Sequence, residues 1–94
     1  MIIAFMQINL KISHSNSLKE KRAIIRPLVE KLKKNYNISI AEVDHQDLWQ
    51  LATLGIAMVS NSKTYLQEVF DKMINDVIKL QGDYQILSHQ INFT

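Results

Sequence analysis

The chain has 94 residues, 47% hydrophobic and 21% charged, with two glycines, one proline and no cysteine. That composition builds one globular core and excludes a disordered, collagenous or disulfide-stapled chain. It also excludes thiolate metal sites and thiol nucleophiles. The formal charge of +2 is unevenly spread: residues 11–34 hold eight basic and two acidic side chains, and the rest of the chain is net acidic. Such a two-sided field orients a polyanion.

From Ile2 to Ile12 the even positions Ile2, Ala4, Met6, Ile8, Leu10 and Ile12 are all apolar, which predicts a period-two strand. Ser13–Asn16 reads as a loop. Ser17 followed three residues later by Glu20 is a capping box, so a helix starts near Leu18. At 100° per residue Leu18, Ile25, Leu28, Val29 and Leu32 share one face, and the helix ends in Lys33-Lys34-Asn35. Pro27 lies inside it, so the helix either kinks there or turns Pro27 to solvent. Ile38–Val43 and Leu51–Ser60 are β-rich and are joined by the polar turn Asp44–Gln50. Tyr65–Leu80 carries a second apolar stripe, with Thr64 and Gln67 as its capping pair and Gly82 as its stop. Tyr84–Phe93 is the last strand.

The order βαββαβ is the α+β, ferredoxin-like arrangement. The whole chain, 1–94, is expected to be one domain: a four-stranded antiparallel sheet with both helices on one face. Right-handed crossovers place the first and third strands centrally and the second and fourth at the edges. Leu18, Ile25, Leu28, Leu32, Val69, Phe70 and Met73 should be buried. No apolar run reaches the roughly 20 residues of a membrane span. Residues 1–10 lack a basic leader region and a cleavage site, so a cytoplasmic protein without a membrane partner is expected.

Lys19, Arg22, Arg26 and Lys33 fall within about 60° of one another on the first helix, a stripe roughly 20 Å long. They match the regular charge of a phosphate backbone; the alternative is a solvated helix flank. The turn concentrates Asp44, His45, Gln46, Asp47 and Trp49. A divalent metal site would need His14 from another loop, and the ligand spacing matches no established pattern. A His–Asp general base finds no nucleophile or oxyanion device to serve. Asp44, His45 and Asp47 are therefore read as structural, with the carboxylates bonding turn amides and His45 bridging them. Trp49 is read as packing over the open end of the core or, alternatively, as a surface on which a base stacks. His89, among Leu87, Ile91 and Phe93, is read as a hydrogen-bonded structural histidine.

The sheet face away from the helices carries Ile3, Phe5, Gln7, Asn9 and Lys11. It lacks the paired aromatics of RNA-recognition sheets and suits self-association or a protein partner. The segments Ser17–Arg22, Tyr36–Gln50 and Leu54–Asn61, in this order and at these separations, resemble the YlxP-like family of small bacterial proteins. The resemblance implies a ferredoxin-like fold and a cytoplasmic protein encoded among translation and ribosome-maturation genes, with RNA as the implied partner. It supplies no catalytic residues, and this chain has Lys33-Lys34-Asn35 where relatives have a more arginine-rich helix end. An acylphosphatase-like enzyme would need a glycine in the phosphate loop, where Ser13–Ser17 has none. The expected function is thus non-catalytic and needs no metal or cofactor: association with RNA or a ribosomal particle through Lys19, Arg22, Arg26, Lys33 and Trp49. The rival is a homodimeric interaction module that uses the open sheet face or the edge strand.

Overall fold

The computed structural model describes all residues 1–94. Its elements are β1 (Ile2–Lys11), α1 (Leu18–Asn35), β2 (Ser39–Asp44), β3 (Leu51–Ser60), α2 (Lys63–Lys79) and β4 (Gln85–Phe93). The sheet order is β2-β3-β1-β4, every pairing antiparallel. This is the ferredoxin-like topology expected from the segment order, with β1 and β3 central. Strand directions gather three connections at one end of the sheet: β1–α1, the β2–β3 hairpin and α2–β4.

Alternation along β1 turns Ala4, Met6, Ile8 and Leu10 toward the helices, and Ala52, Leu54 and Ile56 of β3 match them. Ile25, Leu28 and Leu32 of α1 and Leu66, Phe70, Met73, Ile74 and Val77 of α2 close this face into one 17-residue core. Each such side chain, fully buried, contributes about 1.5–3 kcal/mol. Two expected core residues lie at its margin. Val69 is half-buried on the shoulder of the α2 stripe, and Leu18 is half-buried in the first turn of α1. Pro27 is exposed within an uninterrupted α1, on the side of the helix away from the core.

The first capping pair forms: Ser17 Oγ accepts from the Glu20 amide at 3.0 Å, and Glu20 reaches back to the Asn16 amide at 2.6 Å. The second does not. Ser62 caps α2 by accepting from the Tyr65 amide at 3.2 Å, while Gln67 bonds Asp71 on the helix surface. Gly82 does not stop the helix through left-handed backbone either. That conformation belongs to Gln81, at φ 49°, whereas Gly82 lies under the Tyr84 ring, where a methyl group would collide. His14 at φ 66° and His45 at φ 61° are also left-handed.

Candidate functional site

The cap at Ser17 fixes the rotation of α1, and that rotation sends Lys21 inward. Lys21 lies 200° around the helix from Lys19, inside the arc of Ile25, Leu28 and Leu32. Its side chain is 1% exposed. The ammonium group sits beneath the β2–β3 hairpin, 2.7 Å from Glu42 Oε2 and 2.9, 3.3 and 3.1 Å from the carbonyl oxygens of His45, Gln46 and Leu51. Three ammonium hydrogens serve four acceptors, so the longest contact is a shared one. Glu42 faces the helices because β2 alternates, with Ile40 two residues earlier in the core. A charge-assisted network of this kind holds a turn in one shape. Sequence reasoning counted Lys21 only in the charge balance of residues 11–34 and gave it no role; the helical wheel together with the inward position of Glu42 would have found it.

Above this clasp the hairpin continues as a chain of side-chain bonds across the open sheet face. The His45 amide donates to Asp44 Oδ1 at 2.8 Å, and His45 Nδ1 lies 2.9 Å from Thr53 Oγ1. Thr53 donates to Asn9 Oδ1 at 2.7 Å, and Asn9 Nδ2 donates to Ser88 Oγ at 2.9 Å. Because Thr53 spends its one hydroxyl hydrogen on Asn9, His45 Nδ1 carries its own proton, and Nε2 is left as a free acceptor in the neutral ring. His45 therefore bridges to Thr53 rather than to the aspartates. Asp44 bonds a turn amide as expected, but Asp47 accepts no hydrogen bond and forms no ion pair. The hairpin is tied to the β1–α1 loop as well: the Ile12 amide donates to the Gln50 carbonyl at 2.9 Å, and Gln50 Nε2 to the Ser15 carbonyl at 3.3 Å.

Trp49 does not pack over the core. It is 52% exposed beside Leu48 at 46%, because Lys21 and the backbone, not the indole, close this end of the protein. Lys11, Asp47, Leu48, Trp49, Gln50 and Leu51 line an open groove of about 430 Å³. The basic stripe is placed as the wheel predicts. Lys19, Arg22, Arg26 and Lys33 are all exposed on α1, none in an ion pair, and the first three line a second groove of about 480 Å³ with Ala23 and Pro27.

No group of three or more His, Asp or Glu side chains comes together to hold a metal ion; His14 is exposed in its own loop. The His89 ring meets Phe70 edge-on at 5.7 Å between ring centroids and has no side-chain hydrogen bond, unlike the bonded histidine expected there. At the far end of α1, Tyr36 donates its hydroxyl to the Asp76 carboxylate of α2. Burial first, then this bond and the carboxylate's charge, push the Tyr36 phenol far above its ordinary range. Burial likewise raises Tyr84, whose hydroxyl donates to the Val77 carbonyl at 2.8 Å.

A ferredoxin-like sheet with two helices on one face, a cation-locked β2–β3 hairpin and an exposed basic helix defines a small α+β protein with two open grooves, one at the hairpin and one on α1. The architecture is shared with the de novo designed protein Foldit4, at a TM-score of 0.51 and 12% identity over 99% of this chain and 94% of that one. The chain belongs to the DUF503 family, described as proteins of unknown function, whose pattern matches residues 3–91. It is 33% identical over 73 residues to the uncharacterized protein YlxP of Bacillus subtilis (strain 168), covering 78% of this chain and 79% of that protein.

Proposed function

We propose that this protein is a non-catalytic, cytoplasmic RNA-associated protein that acts in translation or ribosome maturation. The observation that supports this is the stripe itself. Lys19, Arg22, Arg26 and Lys33 hold four cations along one helix face with no acidic partner, so the charge is available to phosphates. The YlxP-like resemblance supplies the setting in translation. Binding through phosphates alone is sequence-blind and releases counterions, so log K falls with log salt by about 0.7 per contact on a single strand.

The test is fluorescence anisotropy with a labelled single-stranded RNA over a range of salt. The wild-type slope should be about −3 for four contacts, and changing all four residues to glutamine should flatten it toward zero. If wild-type protein shows no salt-dependent binding at low ionic strength, the stripe is a solvated flank. Sequencing RNA that copurifies from cells would identify the target.

A second reading rests on Phe5 and Val59, large apolar side chains of the open sheet face that are 48% and 59% exposed. Ile3 pairs with Val59 across the sheet, which extends the patch. A homodimer through this face would show as twice the monomer mass in light scattering, and Phe5→Asp would abolish it.

A further inference from the structure

We infer that the groove at the tip of the hairpin is a guanine-binding site, with the base stacked on Trp49 and its Watson–Crick edge held by the Asp47 carboxylate. This inference rests on the RNA reading above and gives it a base specificity that the stripe cannot supply.

The groove combines three groups that the fold itself does not use. Trp49 presents an exposed indole, Asp47 a carboxylate with no partner and Lys11 an ammonium with none, and all three line the same concavity. The hairpin beneath them is held rigid by Lys21 and by the tie from Ile12 to Gln50, so they are presented on a fixed frame. Rigid aromatic surfaces stack any base, whatever its identity.

The charges select the occupant. A carboxylate repels phosphate, so Asp47 in an RNA groove needs a neutral donor facing it. Lys11, which lines the same groove, supplies a cation that attracts a phosphate. A nucleotide satisfies both, with its phosphate toward Lys11 and its base between Trp49 and Asp47. Among the four bases only guanine offers two adjacent donors, N1–H and the exocyclic amine, to match two carboxylate oxygens. Adenine and cytosine each set one amino group beside a ring acceptor, and uracil sets its N3–H between two carbonyls. All three leave one oxygen of Asp47 facing a lone pair.

The experiment uses labelled oligouridylates that carry one central guanosine, inosine or adenosine. Anisotropy reports affinity, and Trp49, the one tryptophan in the chain, reports stacking through its own fluorescence. The guanosine RNA should bind about tenfold tighter than the adenosine RNA, as expected for a bidentate base contact, and should quench Trp49. Inosine, which lacks the exocyclic amine, should fall between them. Asp47→Asn should erase the guanosine preference and leave the salt slope unchanged.

Equal affinity for guanosine, inosine and adenosine RNAs, with salt-dependent binding intact, overturns the guanine site and leaves the stripe reading standing. Absence of binding to any of them at low salt overturns both. A basic peptide that quenches Trp49 where the RNAs do not would assign the groove to a protein partner and overturn the inference.

Discussion

Lys21 and Lys19 lie two residues apart on α1, yet one is 1% exposed and bonded to four oxygens while the other faces solvent without a partner. The difference is angular: 200° of helix rotation turns the same side chain from a solvated group into a structural one. A buried ammonium group is tolerated because Glu42 and three carbonyls replace its water; without them desolvation would cost several kcal/mol. The exposed cations carry no such obligation to the fold, which leaves them free for a partner. The charge that serves stability and the charge left to solvent thus occupy opposite sides of one helix.

The sharpest way to break this division is Lys21→Met. It keeps the stem's packing but leaves Glu42 and the hairpin carbonyls without their donor, and should cost about 3 kcal/mol. In a domain of this size that lowers Tm by more than about 10 °C, measurable by thermal denaturation. Should Lys21→Met melt with the wild type, the clasp is not what orders the hairpin. Thr53→Val, which removes the centre of the chain from His45 to Ser88, should cost about 1–2 kcal/mol by chemical denaturation. By contrast, the fourfold glutamine variant of the stripe should unfold within about 0.5 kcal/mol of wild type, since glutamine keeps helix propensity and the side chains are exposed. Asp47→Ala should be equally silent in Tm. A loss of several degrees there would restore Asp47 to the structural role first expected of it.

A pH measurement sharpens the contrast at the other end of α1. The Tyr36 phenol ionises at higher pH in the folded protein than in the unfolded chain, so the native state binds that proton more tightly. Its contribution to stability is full below the unfolded value, about 10, and is lost as pH rises above it. Denaturation at alkaline pH should therefore show a decline that Tyr36→Phe reduces.

The fold was legible because period-two alternation in β1 and a 3.6-residue stripe in each helix are properties of local sequence, and six such segments in this order admit few topologies. The hairpin was only partly legible. Asp44, His45 and Asp47 stood out by composition, but the group that organises them, Lys21, lies more than twenty positions away and reaches the turn only through tertiary packing. Trp49 was misjudged for the same reason: a large aromatic is expected to cover an open core, and here a lysine and the backbone already cover it. The start of α2 slipped by two residues because Ser62 and Thr64 both qualify as caps, and the choice between them depends on where β3 delivers the chain.

Three non-glycine residues in left-handed backbone, His14, His45 and Gln81, lie one in each of the connections at the same end of the sheet. Each stores about 1 kcal/mol of conformational energy that an ordinary turn would not. That energy lowers the cost of local opening there, so amide protons of residues 45–50 should exchange with solvent well before those of Ile8 and Leu54 at the sheet centre. The Lys21 clasp and the Ile12–Gln50 tie work against this release, so the end of the sheet that carries the open groove is a loaded spring latched by one buried charge and one backbone bond.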